Sequence, residues 1–179
     1  MITIVKNLVA VIMAFLNIFA SSVFGDFTAP NKPLDPATCK LNMAVISDTH
    51  MTDETYRALT LEFGLTDMQK ALYPIDALVI TGDLTDGGEE QEWQMLSNTF
   101  AKYSPARNII LAQGNHDTWT EDDGYALAKD YFIKYSGEIT GREIENEYYT
   151  ENINGYTFIV LASEDDRTSM LMSDEQLAW

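Results

Sequence analysis

Cysteine is nearly absent: Cys39 is the only one in 179 residues, beside five prolines, ten glycines and two histidines. One thiol cannot close an internal disulfide, which excludes a small scaffold stapled by bridges. So little proline and glycine excludes collagen-like and linker-like sequence. Basic residues are scarce too, 11 against 28 acidic ones, for a net charge of −17. Non-specific nucleic-acid binding is therefore not expected, because it is driven by Lys and Arg contacts that release counterions from phosphate. No glycine-rich phosphate loop of the Walker type is present. What remains is 46% apolar, too much for a disordered acidic tail, and the length suits one domain.

The first 25 residues differ from the rest. Lys6 is their only charge, a mostly apolar run extends from Leu8 to Phe24, and small residues follow at Ala20, Ser22 and Gly25. That order reads as a signal peptide over residues 1–25 of a secreted or periplasmic protein. An N-terminal membrane anchor is the alternative, since the run is close to the minimum span of about 17 residues. Residues 26–40, with Pro30, Pro33 and Pro36, read as an extended leader, and a domain fills 41–179.

Within that domain Met43–Ile46, Ala77–Ile80 and Ile109–Ala112 are short apolar runs rich in β-branched residues. They fit strands of a parallel sheet buried on both faces. Helical spacing intervenes: Tyr56, Leu59, Phe63 and Ala71 within 53–72, and Trp93, Leu96 and Phe100 within 89–102. A third helix is expected over 123–135. The pair Asn154-Gly155, set between the runs 148–153 and 156–162, predicts a β-hairpin because both turn positions need positive φ. Ser173 and Gln176 have the spacing of a helix capping box just before Trp179. The fold class is α/β, a layered architecture.

Each of the three runs is followed by groups that bind metals or move protons. They are Asp48-Thr49-His50, then Gly82-Asp83-Leu84-Thr85-Asp86, then Gly114-Asn115-His116-Asp117. Parallel strands would carry all three to one sheet edge, where ligands bind in open α/β folds. The residue types suit two divalent cations: Asp48 and His50 on one, Asp83 bridging, Asn115 on the other. His116 would protonate a leaving alkoxide, with Asp117 orienting its ring. Asp86 reads as a turn residue and helix cap.

In this combination the chain resembles the calcineurin-like metallophosphoesterase family from about Leu41 onward. The resemblance implies two mixed β-sheets packed face to face and flanked by helices, with the hairpin beginning the second sheet. It implies hydrolysis of phosphomonoesters or phosphodiesters at two divalent ions, Mn, Zn or Fe. Asp48 and His50 then hold the first ion, Asp83 bridges, Asn115 holds the second, and His116 is the catalytic imidazole. Asp86 stands where the related purple acid phosphatases have a Tyr, which argues against an Fe(III)–tyrosinate centre. The family's later histidine motifs have no counterpart, since no His follows residue 116. The expectation is an incomplete domain that binds at most one ion well and has little or no activity. An exposed sheet edge would then favour self-association. The alternatives are a non-catalytic secreted module, or a fragment completed by another chain.

Overall fold

The computed structural model describes residues 35, 37–119, 124–164 and 171–179; the expected signal peptide lies outside them. The chain divides into a unit of residues 1–39 and a unit of residues 40–179. Of the first, the described part is a turn in which the amides of Thr38 and Cys39 both donate to Asp35 O. Among the described residues no helix is long and apolar enough to cross a membrane.

The second unit runs β1 (Met43–Ile46), α1 (Thr55–Gln69), β2 (Ile75–Ile80), α2 (Glu90–Tyr103), β3 (Ala106–Leu111), α3 (Tyr125–Thr140), β4 (Tyr149–Ile153), β5 (Tyr156–Val160) and α4 (Asp174–Ala178). The first three strands form a parallel sheet in the order β1-β2-β3, with Ile46 opposite Ile80 and Ile80 opposite Leu111. Its strands take these positions because alternate residues face opposite sides. Leu78, Ile80, Ile109 and Leu111 join the main core with Leu61, Leu65, Trp93, Leu96, Phe100 and Phe132 from the helices. Ala77 and Ile110 instead meet Ile153 and Val160 of the β4–β5 hairpin. Helices cover one face of the sheet and the hairpin covers part of the other, a mixed α/β layering.

Two local expectations fail. The face of α1 carrying Tyr56, Leu59 and Phe63 is exposed, Phe63 at 68%. The helix buries Leu61 and Leu65 instead, with Ala58 and Met68 packed against the same core. Both stripes have helical spacing, so periodicity alone does not choose between them. The first strand is not buried on both faces either: Met43 and Val45 are about half exposed. It is an edge strand, and the hairpin's cluster draws on β2 and β3.

The hairpin turns at Asn154 (φ 53°) and Gly155 (φ 85°), as the Asn-Gly pair requires. Tyr149 fastens it to β3: its hydroxyl donates to Leu111 O at 2.8 Å and accepts from Leu111 N at 3.0 Å. The five-residue α4 is too short to persist alone. Ser173 caps it by accepting from Gln176 N, and the Gln176 side chain bonds both the N–H and the carbonyl of Ala162.

Candidate metal centre

Beyond β1 and β2 the chain stays paired. Asp48 N donates to Gly82 O (3.1 Å), His50 N to Asp83 O (2.9 Å) and Met51 N to Leu84 O (2.9 Å). Met51 then bridges Thr85 in the register that Ile46 and Ile80 already set. Between those points the backbone leaves strand conformation, with φ of 57° at Asp48, 41° at His50 and 50° at Asp83. Asp and His are among the few non-glycine types that enter this left-handed region. Each such residue costs about 1–3 kcal/mol, and residues held this way cluster at functional sites. Among the described residues the only other non-glycine of this kind is Asn154 in the hairpin turn.

The side chains converge where the loops meet. His50 Nε2 stands 3.6 Å from Asp48 Oδ1 and 3.8 Å from Asp83 Oδ2. Asp83 Oδ1 accepts from His116 N at 3.0 Å, which ties the β2 loop to the β3 loop. The two imidazoles meet edge to face with ring centres 4.5 Å apart. One ligand atom each from His50, Asp83 and His116 lie within 4.8 Å of one another. Asp48 sits at the more exposed rim. Asn115 precedes His116 in the same turn, where its carbonyl accepts from Thr118 Oγ1 at 2.9 Å.

Asp86, read from sequence as a turn residue and cap, belongs to this cluster. Its Oδ1 lies 3.0 Å from His50 Nδ1, at an angle that makes no hydrogen bond, and 4.0 Å from His116 Nδ1. Its main-chain carbonyl is 2.6 Å from His116 Nδ1. A carbonyl can only accept, so Nδ1 carries the proton and the neutral ring keeps its lone pair on Nε2. Arg57 Nη1 donates to Asp86 Oδ1 (3.3 Å) and to His50 O (3.0 Å), clamping the two loops from α1. The cap of α2 is Glu89, in a reciprocal box with Glu92. Asp86 was visible in sequence as the second acid of its loop; Arg57, a lone base on a helix, carried no signal.

Asp117 does not hold the His116 ring, contrary to the expectation. It is fully buried: Oδ1 accepts from Thr85 N and Thr85 Oγ1, both at 2.7 Å, and Oδ2 from Leu84 N (3.1 Å) and Gly114 N (2.8 Å). Burial pushes its carboxyl up to about 6, while those four donors favour the charged form. Neighbouring residues of a turn project differently, so His116 meets Asp86 while Asp117 braces the loop beneath.

A family model for calcineurin-like phosphoesterases matches residues 41–177. The chain belongs to that family. Its members are metal-dependent hydrolases of phosphate esters. Seven solved protein chains match. One of them, the protein of unknown function AQ665 from Aquifex aeolicus, is 25% identical. The match covers 65% of this chain and 57% of the Aquifex chain, at a TM-score of 0.33. No curated protein matches.

The residues present fit a divalent cation. His50 Nε2 faces two carboxylate oxygens at 3.6 and 3.8 Å, beyond hydrogen-bond length. Donors sharing one ion at about 2.1 Å stand about 3–3.5 Å apart, close to that spacing. Asp48, Asp83 and Asp86 gather around two imidazoles with one guanidinium, Arg57, among them. Such an excess of carboxylate favours bound positive charge. Imidazole with carboxylate suits Zn, Mn or Fe(II), and the set does not choose among them.

Proposed function

We propose that this chain hydrolyses phosphate monoesters or diesters at a dinuclear metal centre. Asp48, His50 and Asp83 would hold one divalent ion, and Asp83 with Asn115 a second. The observation supporting this reading is the meeting of His50, Asp83 and His116, from three strand ends, within 4.8 Å. When bound, paired ions supply an activated water and stabilise the attacking and leaving oxygens of phosphoryl displacement. The chain does the rest. The Asp86 carbonyl fixes the Nδ1 proton of His116, so Nε2 is the atom that takes up and gives the proton to the leaving oxygen. The Asp86 carbonyl thus positions the His116 ring, and Arg57 ties the Asp86 carboxylate to the His50 main chain. Among the described residues the second ion has fewer ligands than the first, so one ion binds well and turnover is slow.

Hydrolysis of bis(p-nitrophenyl) phosphate and p-nitrophenyl phosphate with added Mn²⁺ tests the reading. Activity abolished by chelator and by His116→Ala supports it. Mn²⁺ binding in calorimetry with no turnover of either ester would mark a non-catalytic module instead. On Lys6 and the apolar run after it we also read the chain as exported. A mature N-terminus that still begins at Met1 would count against this.

A further inference from the structure

Beside the cluster, between the end of β1 and α1, lies a cavity of about 380 Å³. Asp48 and Thr49 form part of its wall, so it opens onto the same loop that carries the candidate ligands. Ile46, Leu61, Leu65 and Met68 give it an apolar lining. Arg57, whose guanidinium is committed to the His50 carbonyl and to Asp86, stands at the same wall.

Gly64 is the informative residue. It sits in the middle of α1, where glycine weakens a helix. Helical backbone does not require it, and a β-carbon there would meet nothing within 4 Å. What its missing side chain preserves is room in the cavity, which it lines.

We infer that this cavity receives the organic group of the phosphate ester, and that the preferred substrates carry an aromatic or similarly bulky apolar group. The inference rests on the phosphoesterase reading above and specifies its substrate class. Asp48 belongs to both places, lining the cavity and standing 3.6 Å from His50 Nε2, so a phosphoryl group at the cluster has the cavity beside it. The volume is ample, since a cavity of about 150 Å³ accommodates benzene. Burying a ring against leucine, isoleucine and methionine adds affinity that a methyl ester cannot gain. Leu61 and Leu65 are buried in the core, so the cavity floor is fixed in advance.

The test uses the full chain with Mn²⁺ and two non-hydrolysable probes, phenylphosphonate and methylphosphonate, titrated by calorimetry. Phenylphosphonate is expected to bind at least about tenfold more tightly. Gly64→Leu, which fills the cavity, should bring the two within about twofold while leaving methylphosphonate unchanged. Thr60→Phe, from the same wall, is the second variant should the leucine disturb the helix. Equal affinity of the two probes for the parent chain would overturn the cavity inference and leave the metal reading standing. So would a preference that survives both variants. Binding of neither probe to a chain that takes up Mn²⁺ would overturn both.

Discussion

A β-carbon on Gly114 would fall 2.2 Å from both the backbone nitrogen and Oδ1 of Asp83. Two strand ends are thus packed backbone to carboxylate, and the bridging candidate is positioned by a side chain that is missing. Gly114→Ala should displace Asp83 and break its bond from His116 N. The expected result is at least about tenfold weaker Mn²⁺ binding by calorimetry and about 1–3 kcal/mol lost in urea unfolding, as for overpacking. Unchanged metal affinity would show that Asp83 is not a ligand.

Asp117→Asn should cost about 3 kcal/mol, because an amide presents hydrogens to donors that need an acceptor. The parent carboxyl is raised from 3.8 to about 6, so the folded state takes up a proton in that window. Its contribution to stability therefore falls as pH rises from about 4 to about 6 and is level above. Denaturant titrations at pH 4, 5, 6 and 7 should show this slope in the parent, and its loss in the variant.

Asp86→Ala removes the carboxylate beside both imidazoles and one partner of Arg57. Because that carboxylate stands 3.0 Å from His50 Nδ1 and adds negative charge beside the candidate ligands, Mn²⁺ binding should weaken about 10-fold. The His116 Nδ1 contact runs to the Asp86 main chain and should persist. A histidine Nδ1–H still hydrogen-bonded in NMR of the variant would confirm that division of roles.

Mn²⁺ at a hundred times its Kd should stabilise the folded chain by about 2.7 kcal/mol, read as a rise in unfolding midpoint. Asp83→Asn should abolish the rise. A cation that shifts the midpoint equally in both chains acts elsewhere.

Gly64→Ala should raise stability by about 1 kcal/mol, since the added methyl improves helix propensity and strikes nothing. A loss on thermal unfolding would mean that the helix needs the glycine for its own sake.

The strands, the hairpin turn and the order of the chemical clusters follow from local rules. Short apolar runs locate β1, β2 and β3, and Asn154-Gly155 admits little else than a turn of positive φ. The acids and histidines at the three strand ends were legible for the same reason, because each sits in a short segment whose neighbours announce it. Tertiary structure decided the rest. Both faces of α1 had the period of a buried stripe, and only the packing of Leu61 and Leu65 on the sheet chose one. Along the chain Asp117 read as the partner of the His116 ring and Asp86 as a turn residue and cap, whereas in the fold Asp86 meets the ring. Their roles were set by contacts at least 29 residues away in sequence, to Thr85 for Asp117 and to Arg57 and His116 for Asp86. Periodicity and turn chemistry act over a few residues, whereas the burial that assigns a carboxylate its task belongs to segments that meet only after folding.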